Sequence, residues 1–137
     1  MREILFRGKR MDNGEWVFGD LIREPWGYCI QVVTGSGNEY SRKKYAITEK
    51  TIGQYTGLKD KNGKLIWEND ICRRVLLPTK RIKTNFKIAY MPYECCLSAI
   101  DLDGSNVTFL RDYINNQYEV EVIGNIFDNT ELLKVGE

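Results

Sequence analysis

Turn chemistry cuts this chain into runs so short that most of them can only be strands. Asp12-Asn13-Gly14, Pro25-Trp26-Gly27, Lys61-Asn62-Gly63 and Asp103-Gly104 set Gly, Asn or Pro where a backbone reverses. The residues between the turns are stiff at χ1 or aromatic. Thirteen Ile, eight Val and eight Thr are β-branched and sixteen residues are aromatic, while Ala, the best helix former, stands only at 46, 89 and 99. The pattern predicts strands over 2–7, 15–22, 28–33, 51–56, 64–67, 70–77, 81–90, 95–102, 107–110 and 118–127. A helical turn within 111–117 and a short helix over 129–133 make up a minor α component. Residues 34–38 read as a flexible loop, and 39–50 are polar without a clear period. The expected class is all-β, built from antiparallel hairpins.

At 137 residues the chain forms one domain, with a subdivision into 1–50 and 51–137 as the alternative. Twenty Lys and Arg against nineteen Asp and Glu leave a net charge of +1. That balance argues against a basic DNA-coating protein and against an acidic disordered tail. Histidine is absent, which removes the commonest general base and metal ligand. No apolar run approaches the ~20 residues that span a bilayer, and the opening residues turn polar too soon for a secretion signal, so the expected setting is the cytosol. Cysteines at 29, 72, 95 and 96 match neither paired zinc-site spacing nor a disulfide framework, and are expected as reduced thiols.

One spacing occurs twice. Phe6-x-Gly8-x4-Asn13-Gly14-x3-Phe18 matches Tyr55-x-Gly57-x4-Asn62-Gly63-x3-Trp67 with identical spacing. Each copy reads as a strand, a tight turn and a second strand with an aromatic at the same register. Two related hairpins explain this, and chance recurrence of a common turn is the alternative. The aromatics Trp16, Phe18, Trp26 and Trp67 are expected in core or hairpin packing rather than in a ligand cage.

These blocks also carry a family resemblance. The start, from Arg2-Glu3-Ile4 and Phe6-Arg7-Gly8 through Asn13-Gly14-Glu15-Trp16, resembles the opening of YopX-family proteins. So do Thr51-Ile52-Gly53-Gln54-Tyr55-Thr56-Gly57, Ile66-Trp67-Glu68-Asn69-Asp70-Ile71 and the ending Glu121-Val122-Ile123-Gly124-Asn125-Ile126-Phe127-Asp128-Asn129. The resemblance implies a mostly β architecture with a small SH3-like barrel in the C-terminal half. It also implies carriage by phages, prophages and mobile elements, and it names no activity. The family usually has Gly where this chain has Asn69, a residue that tolerates left-handed geometry. Segments 34–50 and 76–96 match no family block and are expected as loops that carry specificity.

The net charge conceals a division along the chain. From 73 to 93 stand Arg73, Arg74, Lys80, Arg81, Lys83 and Lys87 with no acid, and from 101 to 137 eight acids face only Arg111 and Lys134. Arg81, Lys83 and Lys87 alternate with Ile82, Phe86 and Ile88, so a strand would turn the charges outward. With Tyr90 and Tyr93 these six cations are the candidate contacts for nucleic acid or an acidic partner. The alternative is a solvated face, with Lys83 or Lys87 opposite Glu119 and Glu121 on a neighbouring strand. Bipolar charge also suits self-assembly.

Enzyme readings are weak. Gly53, Gly57 and Gly63 form neither a dinucleotide fingerprint nor a phosphate loop, and Asp60, Glu68 and Asp70 read as turn and strand-start residues rather than a metal site. No catalytic, cofactor-binding or metal residue is assigned, and no cofactor is expected. The expectation is a non-enzymatic module that binds itself, or a phage or host protein, in the host cytosol. Nucleic-acid binding through 73–93 is the alternative, and no membrane partner is expected.

Overall fold

A computed structural model describes residues 2–115 and 117–134, except for the side chains of Ile82 and Lys83. The described chain is nearly all β, in two antiparallel sheets and two compact units, Met1–Tyr55 and Thr56–Glu137. No helix among the described residues is long and apolar enough to cross a membrane.

The first unit is a meander. Strands β1 (Phe6–Lys9), β2 (Trp16–Glu24), β3 (Gly27–Ser36) and β4 (Glu39–Ile47) each pair antiparallel with the next, and β1 also pairs with the start of β5 (Gly53–Lys59). In the β1–β2 turn Gly14 sits at φ 73°, and the Glu15 amide donates to Asn13 Oδ1 at 2.9 Å. The sheet curls until the end of β4 meets the end of β1. Met11 N–H donates to Ala46 C=O and Thr48 N–H to Lys9 C=O, both at 2.9 Å. Buried Cys29, Ile30 and Ile47 lie where the curled sheet closes. Close packing there demands glycine. A Cβ on Gly19 would lie 2.2 Å from the Gln31 carbonyl oxygen, and one on Gly8 2.6 Å from Ile47 Cδ1.

In the second unit β5 runs on into a turn and β6 (Leu65–Trp67), its neighbour in sheet order. The other sheet comprises β7 (Asp70–Leu76), β8 (Arg81–Met91), β9 (Cys96–Asp101), β10 (Val107–Phe109) and β11 (Tyr118–Asn125), in the order β10-β9-β8-β7-β11. A single turn of helix, α1 (Leu110–Tyr113), follows β10, and a 3-10 turn covers Thr130–Leu133. The register places Cys72 between Phe86 and Val122, and Ile88 beside Ala99. These side chains, with Ile66, Leu110, Tyr113 and Val120, form one buried cluster in which Phe86 meets Tyr113 edge-on at 5.0 Å. Among the described residues no ladder joins β10 to β11, and this sheet stays open. The outer edge of β11 is occupied by the β5–β6 turn. Lys61 N–H donates to Val120 C=O and Val122 N–H to Asp60 Oδ2, both at 3.0 Å.

Segments 34–50 and 76–96 are mostly strand rather than loop; within the second, β8 covers the strand expected over 81–90. β3 continues to Ser36 and β4 begins at Glu39, leaving two residues for the turn. Both faces of this distal ribbon are exposed, so no apolar alternation marks it in the sequence. Its register is held by main-chain pairing and by the 2.8 Å contact between the Thr34 and Ser41 hydroxyls. Of the four expected packing aromatics, Trp67 is buried and Trp16 half-buried, whereas Phe18 and the turn residue Trp26 are exposed.

The two similar hairpins share turn chemistry but differ in surroundings. Gly14 and Gly63 both take positive φ, at 73° and 81°. Gly8 is glycine because Ile47 presses on it, while Gly57 is glycine because its φ is 88°. Asn69 adopts φ 72°, so the left-handed turn before β7 survives without Gly.

Candidate interaction surfaces

The basic segment does not converge on one site. Arg73 and Arg74 are successive residues of β7 and so face opposite sides. Arg73 lies 3.5 Å from Glu121, its cross-strand neighbour on β11, and Lys61 approaches Glu119 and Glu121 at 3.6 and 3.9 Å. Arg74 turns towards the core. Its guanidinium sits 3.8 Å over the Tyr113 ring and 4.8 Å over that of Tyr118, and its Nε has no hydrogen-bond partner among the described residues. The Tyr113 hydroxyl donates to Asp101 at 2.9 Å, and burial together with that bond pushes its pKa up. This sandwich ties α1 to β7 and β11, and Arg74 serves it as packing.

The remaining candidates are spread along β8. Lys80 lies in the β7–β8 turn at φ 56°, and Arg81 opens β8 opposite Leu76; both are exposed. The side chain of Lys83 lies outside the described residues. Lys87 stands between Ile71 and Ile100, not beside Glu119 or Glu121, because β7 separates β8 from β11. Tyr90 is half-exposed opposite Leu97, and Tyr93 is fully exposed in the turn that follows. Nine residue steps of extended chain, about 30 Å, separate Arg81 from Tyr90. The cations of the tip and the aromatics therefore occupy opposite ends of one strand.

Two of the carboxylates weighed as metal ligands, Asp60 and Asp70, accept backbone amides. Asp60 Oδ1 accepts the amides of Asn62 and Lys64 at 2.8 and 2.9 Å, besides the Val122 bond to Oδ2. Burial works to raise its pKa, but these three donors outweigh it and hold the carboxyl below its ordinary range. Asp70 accepts the Trp67 amide at 2.8 Å. Asn125 Oδ1 accepts the amides of Phe127 and Asp128 at 3.0 and 2.9 Å, and a Cβ on Gly124 would lie 2.4 Å from Asn129 Oδ1. The conspicuous ending of the chain is thus turn architecture. Of the cysteines, Cys29 and Cys72 are buried, with pKa values pushed up by burial and then by Glu24 and Asp70 respectively. Raised, buried thiols are poor nucleophiles. Cys95 is exposed in a turn at φ 51° and Cys96 begins β9.

Two surfaces escaped the sequence reading. The first is the distal half of β4, where Tyr40-Ser41-Arg42-Lys43-Lys44-Tyr45 puts three cations among aromatics. Arg42 lies 5.3 Å from the Tyr40 ring, and Arg10 and Lys43 lie 4.4 and 5.2 Å from that of Tyr45. Lys44 bridges Glu24 at 3.1 Å. The signal, basic residues with interleaved aromatics, was present but fell in a stretch without period. The second is an apolar groove of about 340 Å³ lined by Leu58, Cys96, Leu97, Phe109, Leu110 and Arg111. It lies beside β10, the short edge of the second-unit sheet, where Val107 and Phe109 are 55% and 38% exposed. No local pattern could show it, because Leu58 and Phe109 are 51 residues apart in the chain.

Comparison with known proteins agrees with this architecture. The family model described as YopX protein matches residues 5–134. Among solved structures, the crystal structure of protein EF1440 from Enterococcus faecalis is similar, with a TM-score of 0.56 at 22% identity over 98% of this chain and 100% of that one. No curated protein matches.

Proposed function

We propose that this chain, which belongs to the YopX family, is a non-enzymatic protein-binding module that self-associates through the β10 edge and its apolar groove. The carrying observation is the contrast between the sheet edges. β11 is covered by Asp60 and Lys61, and β4 carries Arg42, Lys43 and Lys44. β10 is Val107-Thr108-Phe109, with no charge, proline or bulge to deter pairing. The Asp101 amide donates to Asn106 C=O, and alternation of the ladder then turns the amides of Val107 and Phe109 away from β9. A second copy running antiparallel would pair Val107 with Phe109 and bury both beside the groove.

The non-enzymatic part is supported by the absence of histidine and by carboxylates and thiols committed to turns and core. On this reading the protein acts in the cytosol of a bacterial host, with a phage or host protein as a further partner. Light scattering across a wide concentration range tests it. Wild type should shift from monomer to dimer, and Val107→Lys with Phe109→Lys, which sets like charges opposite each other across that edge, should remain monomeric at an unchanged melting temperature. A wild-type protein that stays monomeric at the highest concentration overturns the reading.

A second reading is nucleic-acid contact through 73–93, favoured by the exposed Lys80 and Arg81. Replacing Arg81, Lys83 and Lys87 by Glu should then abolish band shifts seen at ~50 mM salt, which wild type should itself lose near ~200 mM. Unchanged binding in that variant excludes the segment.

A further inference from the structure

We infer that the free edge of β4 is a docking site for an extended, acidic segment of another protein, which adds a strand to the first-unit sheet. β4 is the terminal strand of its sheet, and β1 covers only its last residues. The Met11 amide donates to Ala46 C=O, and Thr48 N–H to Lys9 C=O, so residues 46 and 48 point their backbone groups outward. The antiparallel ladder alternates, so Tyr40, Arg42 and Lys44 point outward in the same way. Among the described residues nothing but β3 pairs with this part of the strand. An incoming strand would continue the line that residues 9–11 begin.

The side chains specify the occupant. Arg42 and Lys44 stand on one face of β4 and Lys43 on the other, all exposed. Arg42 and Lys43 rest on the rings of Tyr40 and Tyr45 and meet no carboxylate among the described residues. Consecutive acids on an extended partner alternate faces in the same way and would answer cations on both. At the far end Tyr40 and Val33 are half-exposed on the face that carries Arg42, so an apolar residue suits the partner there.

Other occupants fit less well. A second β4 paired antiparallel would set Arg42, Lys43 and Lys44 against their own copies, and like charges directly opposite are destabilising. A nucleic-acid strand lays its phosphates along one face, whereas these cations are divided between two, and the Tyr45 ring is already engaged by Arg10 and Lys43. The site is separate from β10 and does not depend on self-association.

The test uses the whole protein and three labelled probes. One is a short peptide of consecutive acids flanked by valine and threonine, the second has equal charge with proline at alternate positions, and the third is an oligothymidylate of matched charge. The first peptide should bind, weaken as salt rises, and slow hydrogen exchange at the amides of Tyr40, Arg42 and Lys44. Proline cannot donate to a ladder, so the second should bind at least about tenfold more weakly. Arg42→Glu with Lys43→Glu should abolish peptide binding, with melting temperature and self-association unchanged. Oligothymidylate binding as tight as the first peptide's, binding without protection at those three amides, or no peptide binding would each overturn the inference.

Discussion

At the residue scale, Asp60 shows how far a single side chain can reach. Its place in the Lys61-Asn62-Gly63 turn is legible in the sequence, because an acid before Asn-Gly is ordinary turn chemistry. Its bond to Val122, 62 residues away, is not, because nothing local encodes a partner on another strand. Asp60→Asn leaves one oxygen for three amides and turns an NH2 towards another donor. Denaturant melts should show a loss of about 1–3 kcal/mol. The depressed carboxyl also sets a sign with pH. Its contribution is complete above the ordinary carboxylate range and is lost as pH falls through the lower value of the folded state. Stability should therefore drop in acid, and the drop should be shallower in Asp60→Asn. Asn69 makes the opposite case, since its left-handed turn could be read from the residue type together with the Gly usual there in YopX-family proteins. Asn69→Gly, measured the same way, should change stability by no more than about 1 kcal/mol, because relief at φ 72° and greater freedom of the unfolded chain oppose each other.

At the element scale, most strands could be placed from their turns and β-branched runs. β4 could not, because the β3–β4 ribbon is solvated on both faces and leaves no period. The repeated spacing foretold two hairpins with positive-φ glycines but not their different packing. One consequence lies in β2, where Gly19 passes under the Gln31 carbonyl. Gly19→Ala should cost about 2–4 kcal/mol in a thermal or denaturant melt, since the contact is with backbone, which cannot swing aside. Gly14→Ala meets open space and should cost only about 1–2 kcal/mol, the strain of a left-handed alanine. Of the candidate site, the identities of the cations were legible. The dispersal of the cations was not, because it depends on which strand separates β8 from β11.

At the scale of the whole molecule, the charge division along the sequence is partly cancelled in space. Arg73 and Lys61 meet Glu119 and Glu121, so basic and acidic segments neutralise each other across β7 and β11. The cations that stay exposed without such partners among the described residues include Arg42 and Lys43 of β4. Trypsin should cut first after Lys80, in the exposed β7–β8 turn, and not after the strand-paired Arg42, Lys43 or Lys44, within β7 or in the centre of β8. Mass spectrometry of a brief digest checks this. The order of the strands also has a bearing on how the second unit comes together. β7, β8, β9 and β10 join neighbours along the chain, and such pairings close short loops. β11 instead returns to β7 across 48 residues, as the Arg73–Glu121 pair records. Loop closure of that length is slow, so the local hairpins should assemble first and β11 should arrive late, sealing Val120 and Val122 into a core that waits for them. Substitutions in β11 should then speed unfolding while leaving the refolding rate almost untouched.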